Sequence, residues 1–143
     1  MAESSREFQV FVKPAGAVCN LACRYCYYTP KSGLDPDGEL SRMPDRVLEE
    51  YIVQHIEACS DPMIRFSWHG GEPTILGLDY FRKIVAIQRK HLPAGRAFAN
   101  GIQTNGTLLN EQWCRFLAAE GFTVGLTLTL HKHGRVRRWL GFD

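Results

Sequence analysis

Stretches rich in β-forming residues recur along the chain and predict four strands. Residues 8–13 form the first strand, and Pro14, which has no backbone N–H to donate, ends it. Residues 63–68, 97–103 and 122–130 form the other three. The spacing between these strands leaves room for a helix in each gap.

Apolar residues at helical spacing predict those helices. The first begins at Pro44, with Asp45 in its first turn. Its apolar face comprises Val47, Leu48, Tyr51, Ile52 and Ile56. The second covers residues 78–90, and the third follows the N-cap Asn110 and ends at Gly121. Strands that alternate with helices favour a parallel α/β sheet.

Composition narrows the classes of protein that fit. The chain has 143 residues, of which 45% are hydrophobic, which suits one compact domain or a piece of a larger one. A formal charge of +2 does not favour a nucleic-acid binder. No apolar run approaches the roughly 18 residues of a membrane span, and the N-terminus lacks a signal-peptide pattern. We therefore expect a cytoplasmic protein that binds neither nucleic acid nor a membrane.

A cysteine cluster lies in the long predicted loop of residues 15–43. Cys19, Cys23 and Cys26 follow a C-x3-C-x2-C spacing, and the total of five cysteines argues against a closed set of disulfides. Thiolates hold iron–sulfur clusters, and a [4Fe–4S] cube with three local cysteines leaves one iron open. An open coordination position is typical of a metal that takes part in chemistry.

Other interpretations of the three thiols stay open at this point. Zinc binding would need a fourth ligand such as His55 or His69. A structural cluster would need Cys59 or Cys114, but each falls in or just after a helical pattern and fits a small core residue better. Chance occurrence of three cysteines that bind no metal is the third possibility.

Two further motifs extend the pattern. Trp68-His69-Gly70-Gly71-Glu72-Pro73-Thr74 follows the second strand, and Gln103-Thr104-Asn105-Gly106-Thr107-Leu108 follows the third. With the cysteine motif after the first strand, this arrangement resembles the radical SAM (S-adenosylmethionine) superfamily, and within it the anaerobic sulfatase-maturating enzymes. The resemblance covers roughly residues 8 to 128. It implies the N-terminal part of a partial TIM-like (β/α)6 barrel, with about four βα units.

The resemblance also implies an activity. A [4Fe–4S] cluster would bind Cys19, Cys23 and Cys26, and SAM would chelate the fourth iron. An electron from a donor such as flavodoxin or ferredoxin would cleave SAM to methionine and a 5′-deoxyadenosyl radical. That radical would oxidise a cysteine or serine of a sulfatase polypeptide to Cα-formylglycine. Another peptide-modifying radical SAM enzyme and a catalytically inactive cluster-binding fragment are the alternatives.

The glycine–glutamate motif has roles implied by the same resemblance. Gly70 and Gly71 would let backbone approach the methionine end of SAM, and Glu72 would sit near its amino group. Without the cysteines, the glycine pair would indicate only a turn, and Glu72 an acid at a helix start. Asn105-Gly106 is a common turn pair and is interpreted as structural.

Three more residues are matched to SAM contacts, and no catalytic residue is assigned. Tyr25 would lie near the adenine, and Thr127 near the ribose or carboxylate. His69 stands where relatives often have glutamine, and is expected near SAM.

The resemblance stops soon after Thr127. Thr129 replaces an expected aspartate, and residues 131–143 form an atypical basic tail. We therefore expect residues 1–143 to be an incomplete radical SAM core domain. A frameshift near codon 128 or truncation of the sequence would explain this departure.

Overall fold

A four-stranded parallel sheet with helices forms the framework of this computed structural model, which describes residues 8–24, 26 and 42–126. The described elements in chain order are β1 (Phe11–Val12), α1 (Asp45–Ala58), β2 (Met63–Trp68), a short 3₁₀ helix (Pro73–Leu76), α2 (Leu78–His91), β3 (Ala97–Thr104), α3 (Glu111–Ala119) and β4 (Thr123–Leu126). The strand order is β1-β2-β3-β4, so neighbours in the sheet are also consecutive in sequence.

Parallel pairing brings the carboxyl ends of the strands to one edge of the sheet. Val12 pairs with Trp68, Trp68 with Ile102, and Thr104 with Leu126. The segments that follow β1, β2 and β3 therefore start beside one another, as they do at the functional end of α/β barrels. The predicted parallel α/β fold is confirmed, and we call this region the carboxyl edge.

An apolar core fills the space between one face of the sheet and the helices. Its fully buried members include Ile64, Phe66 and Trp68 from β2, together with Leu48, Ile52, Phe81 and Ile84 from α1 and α2. Burying side chains of this size contributes roughly 1.5–3 kcal/mol each. Within the described residues, no helix is both long and apolar enough to cross a membrane.

Several element boundaries differ from the sequence-based predictions. The first strand is shorter than residues 8–13, because only Phe11 and Val12 pair with β2. Pro44 caps α1 from outside instead of occupying its first helical position, since its ψ of 149° is extended. The 3₁₀ helix Pro73–Leu76 is not among the predicted elements.

Three positions also differ in burial. Val47 is exposed, and His55 takes a buried place on α1 because its Nε2 donates to the carbonyl oxygen of Arg65 at 2.9 Å. Cys114 is exposed on α3, so the prediction that it is a small core residue was wrong. Cys59 is partly buried and packs against the core, as expected.

Candidate cofactor site

The cysteines lie on a tightly turned segment directly after β1, at the carboxyl edge. We call residues 15–24 together with residue 26 the cysteine loop. Gly16 N donates to Lys13 O at 2.9 Å and Val18 N donates to Ala15 O at 3.1 Å, which closes two turns before the first cysteine. A further bond of 3.0 Å runs from Cys26 N to the carbonyl oxygen of Cys23. Backbone bonds therefore shape the loop at both ends.

The segment after β2 holds the cysteine loop from the side. Gly71 N donates to the carbonyl oxygen of Gly16 at 2.9 Å, and Glu72 N donates to that of Val18 at 2.8 Å. His69 N extends the ladder with a bond of 2.7 Å to Val12 O. The glycine–glutamate motif and the cysteine motif are thus joined backbone to backbone.

This close approach explains why both motif positions are glycine. A Cβ atom on Gly71 would clash with the carbonyl oxygen of Val18 and lie 2.5 Å from that of Ala17. Gly70 has a φ of +126°, and a Cβ there would lie 2.8 Å from the carbonyl oxygen of Gly16. The glycines are therefore required by the cysteine loop itself. Their contact with the methionine end of SAM stays a prediction.

Glu72 ties the end of β2 to the end of β3. Its carboxylate is fully buried, and Oε1 accepts from Thr74 N at 3.1 Å and from the hydroxyls of Thr74 and Thr104 at 2.6 Å each. Oε2 accepts from Asn105 N at 2.7 Å. Four donors offset the cost of burying a carboxylate. Glu72 is thus the N-cap of the 3₁₀ helix, and its predicted contact with the SAM amino group remains a prediction.

His69 lies directly after β2, with its ring against β1. The imidazole meets the Phe11 ring edge-on, with the two centroids 4.7 Å apart. Burial lowers the pKa of His69 below its usual 6.5, and the nearby charge of Lys13 lowers it further. Both effects favour the neutral form of the imidazole. Its predicted place near SAM stays a prediction.

The cysteine thiols supply the ligand type that an iron–sulfur cluster needs. All five cysteines, which lie in the described part of the chain, are outside disulfides, and Cys19, Cys23 and Cys26 are each partly exposed. The sulfur of Cys19 accepts from Leu21 N at 3.4 Å and from Asn105 Nδ2 at 3.7 Å. Three thiols on one short loop fit the chemistry of a three-cysteine cluster.

In the described part of the chain, the sulfurs of Cys19, Cys23 and Cys26 do not form a group that could hold a single metal ion. Across residues 8–24, 26 and 42–126, no three His, Cys, Asp or Glu side chains form a group that could hold a metal ion. His55, a candidate zinc ligand, donates from Nε2 to the carbonyl oxygen of Arg65. The sulfur of Cys59 lies 3.8 Å from the same Nε2 atom. Tyr25 and Thr127, both predicted to contact SAM, lie outside the described residues.

The match to known proteins agrees with this arrangement. The sequence profile of the radical SAM superfamily matches residues 14–138. The chain belongs to the radical SAM superfamily. The parallel sheet and the cysteine loop beside it are the part of the superfamily fold that the structure describes.

Curated proteins similar to this chain include anaerobic sulfatase-maturating enzymes. The serine-type enzyme of Bacteroides thetaiotaomicron is 41% identical over 124 residues, which are 87% of this chain and 30% of that protein. The cysteine-type enzyme of Clostridium perfringens is 39% identical over 119 residues, which are 83% of this chain and 32% of that protein. The chain therefore spans about a third of the length of these relatives.

A solved structure has the same fold over this region. The structure described as native anSMEcpe with bound AdoMet and Kp18Cys peptide matches with a TM-score of 0.75 and 36% identity. It covers 87% of this chain and 32% of that one. AdoMet is SAM, so that protein, which shares the fold of the matched region, binds the predicted cosubstrate.

Asn105 is a site residue that the sequence analysis missed. It was interpreted as one half of a turn pair, yet its side chain reaches Cys19 and its backbone N–H reaches Glu72. Its position directly after a strand that ends at the carboxyl edge was the available signal. Thr104, the last residue of β3, was missed in the same way and donates to Glu72.

Proposed function

We propose that this chain is the cluster-binding part of a radical SAM enzyme that modifies a sulfatase polypeptide. Cys19, Cys23 and Cys26 would hold a [4Fe–4S] cluster, and SAM would bind beside it at the carboxyl edge. The observation that carries the proposal is the backbone ladder from Gly71 and Glu72 to the cysteine loop. That ladder fixes a three-thiol loop against the motif that resembles the SAM-binding motif of the superfamily.

The chain's own residues would position the reactants. Gly70 and Gly71 allow the cysteine loop to approach β2, and Glu72 holds the ends of β2 and β3 in register. When bound, the cluster would supply the electron that cleaves SAM to methionine and a 5′-deoxyadenosyl radical. His69, whose ring lies against that of Phe11, would face SAM at this part of the edge, where burial and the nearby charge of Lys13 favour its neutral form. Tyr25 near the adenine and Thr127 near the ribose or carboxylate complete the proposed SAM contacts.

The proposed reaction is oxidation of a sulfatase cysteine or serine to Cα-formylglycine. Support comes from the serine-type and cysteine-type sulfatase-maturating enzymes, which are 41% and 39% identical to this chain. A peptide is also bound in the matching solved structure. The electron donor would be a small redox protein such as flavodoxin or ferredoxin, and the setting would be the cytoplasm.

Electron paramagnetic resonance tests the cluster and SAM together. The full-length protein is reconstituted anaerobically with iron and sulfide, reduced with dithionite, and measured with and without SAM. We expect a [4Fe–4S]⁺ signal that changes when SAM is added, because SAM would bind the iron that lacks a cysteine. Cys23→Ser removes a proposed ligand and abolishes the signal. Cys114→Ser, which changes an exposed cysteine on α3, is the matched control and keeps it.

Other outcomes separate the alternatives. Bound zinc without a cluster contradicts the proposal. A cluster that does not respond to SAM favours a catalytically inactive cluster-binding protein. Incubating the SAM-responsive protein with sulfatase-derived peptides that differ only in serine or cysteine, followed by mass spectrometry, then tests the formylglycine reaction. Modification of other peptides alone would indicate a different peptide-modifying enzyme.

A further inference from the structure

A closed ring of hydrogen bonds joins the cysteine loop to the segment after β3. Asn105 Nδ2 donates to Asn20 Oδ1 at 3.0 Å, and Asn20 Nδ2 donates to the hydroxyl of Thr107 at 2.9 Å. That hydroxyl donates to Asn105 Oδ1 at 2.7 Å and closes the ring. Asn105 Nδ2 also donates to Cys19 Sγ, which lies 3.7 Å from it. Through Asn105, the ring is thus bonded to the first cysteine of the motif.

Donor and acceptor roles fix the orientation of both amides. The backbone N–H of Thr107 lies 3.0 Å from Asn105 Oδ1 and can only donate, so the oxygen must face it. The amino group of Asn105 then faces the cysteine loop. Because the Thr107 hydroxyl has one hydrogen, already given to Asn105, it must accept from the amino group of Asn20. Asn105 therefore meets Cys19 with a donor, which suits a thiolate, whereas the Oδ1 of Asn20, 3.9 Å from the same sulfur, is an acceptor.

Asn105 is held in place before any ligand arrives. Its backbone N–H is bonded to the buried carboxylate of Glu72 at 2.7 Å. Gly106, with a φ of +77°, makes the turn that lets Thr107 N reach back to Asn105 Oδ1. Glu72 also contacts the cysteine loop through its own N–H to Val18 O. Both sides of the Asn105–Cys19 contact are thus anchored to the same residue.

We propose that Asn105 is a positioning residue for Cys19 as an iron ligand and that its N–H···S bond raises the reduction potential of the cluster. The inference rests on the proposed function, because it takes Cys19 to be a cluster ligand. Hydrogen bonds to the sulfurs of an iron–sulfur cluster tune its potential. A donor stabilises the reduced cluster, which carries the extra negative charge. Leu21 N, 3.4 Å from the same sulfur, provides a second donor that variants of Asn105 leave in place.

The test compares two Asn105 variants with a matched asparagine in the full-length reconstituted protein. Asn105→Ala removes the donor, and Asn105→Asp keeps an acceptor for Thr107 N but faces the sulfur with oxygen. Asn110→Ala removes a different asparagine, the N-cap whose Oδ1 accepts from Trp113 N at 3.0 Å, and leaves the cysteine loop untouched. Circular dichroism of each apoprotein reports folding, and Asn105→Asp preserves the turn if Asn105→Ala does not fold.

Two readouts decide the outcome. The midpoint potential, followed by electron paramagnetic resonance, is expected to become more negative in Asn105→Ala and more negative still in Asn105→Asp. Loss of iron to a chelator is expected to become about 10-fold faster or more, as for other residues that orient metal ligands. Asn110→Ala keeps the wild-type potential.

Unchanged potentials in both Asn105 variants, with a SAM-responsive wild-type cluster, overturn the inference and leave the proposed function standing. An equal shift of the midpoint potential in Asn110→Ala also overturns the inference. The change in potential would then result from general destabilisation of the protein and not from loss of the bond to Cys19. A wild-type protein without a cluster overturns both proposals.

Discussion

The helix-covered face of the sheet and its carboxyl edge are stabilised in different ways. On the covered face, Ile64, Phe81 and Ile84 are fully buried among other apolar side chains, whose contacts have no required direction. At the carboxyl edge, Glu72 is just as buried but is surrounded by four hydrogen-bond donors, each aimed at one of its two oxygens.

This difference determines which substitutions each region tolerates. Apolar packing tolerates changes that nearly conserve volume, usually at a cost below about 1.5 kcal/mol. A buried network of directed bonds does not tolerate a change of donor to acceptor even when the shape is kept, because a buried polar group is left without a partner. The site-bearing edge is therefore expected to be more sensitive to isosteric changes than the core.

The largest effect is expected from adding one methyl group at Gly71. In Gly71→Ala the new Cβ overlaps backbone oxygens of Val18 and Ala17, which cannot rotate away as side chains can. The cysteine loop must shift, so we expect the loss of stoichiometric cluster binding and a fall in the free energy of unfolding of about 3 kcal/mol or more. Iron analysis after reconstitution and urea unfolding measure the two effects.

Gly95→Ala is the matched control for that change. Gly95 has a φ of +79°, and a Cβ there meets nothing within 4 Å. Alanine costs only the backbone strain, about 1–2 kcal/mol, and leaves iron binding intact. Normal iron content in Gly71→Ala would contradict the view that the glycine pair exists to seat the cysteine loop.

An intermediate effect is expected from Glu72→Gln, which conserves shape. The amide NH₂ must face either Asn105 N or the donors of Thr74 and Thr104, so at least one donor loses its acceptor. We expect the free energy of unfolding to fall by about 1–3 kcal/mol. Denaturant unfolding of the apoprotein measures it without the cluster.

Ile84→Val on the covered face removes a methylene and provides the comparison. It is expected to cost about 0.5–1.5 kcal/mol. If the valine variant proves clearly less stable than the glutamine variant, directed hydrogen bonds are not what makes the edge sensitive.

The smallest expected effect is a pH dependence of the protein's stability that arises from His69 at the carboxyl edge. The folded protein lowers the pKa of His69 below 6.5, chiefly through burial, so the unfolded chain takes up a proton first as pH falls. Stability from this residue is therefore present above the unfolded pKa and declines as pH drops through about 6.5 and below. His69→Gln should lose less stability than wild type between about pH 7.5 and 5.5, measured by urea unfolding. Equal losses in the two proteins would remove His69 as the cause.

The sequence predicted the elements where periodic apolar patterns dominate. β2 was predicted at residues 63–68 and is found at Met63–Trp68, and α2 was predicted one residue short of its end at His91. Asn110 caps α3 through its side chain, and Gly121, with a φ of +64°, follows its end. These features depend on neighbours in sequence, which a pattern records directly.

Contacts between distant segments were not predictable in the same way. The sequence pointed to Gly71 and Glu72 through a family resemblance, but not to the partners that require them, which are Val18 and Thr104. Asn105 was interpreted as a turn residue, and its turn is real, but the direction of its amide depends on Thr107 and Asn20 together. Such roles emerge only once parallel pairing has set three strand ends side by side.

The separation of these partners along the chain bears on the order of folding. Asn105 lies 86 positions after Cys19, and Glu72 joins them only when β1, β2 and β3 have paired. Bringing such distant segments together costs loop-closure entropy, so contacts of this range tend to form late. A ribosome delivers the cysteines first and their side-chain partner from β3 much later. During synthesis the thiols thus emerge well before the structure that would hold them, an interval in which a nascent chain is most open to oxidation or to wrong metals.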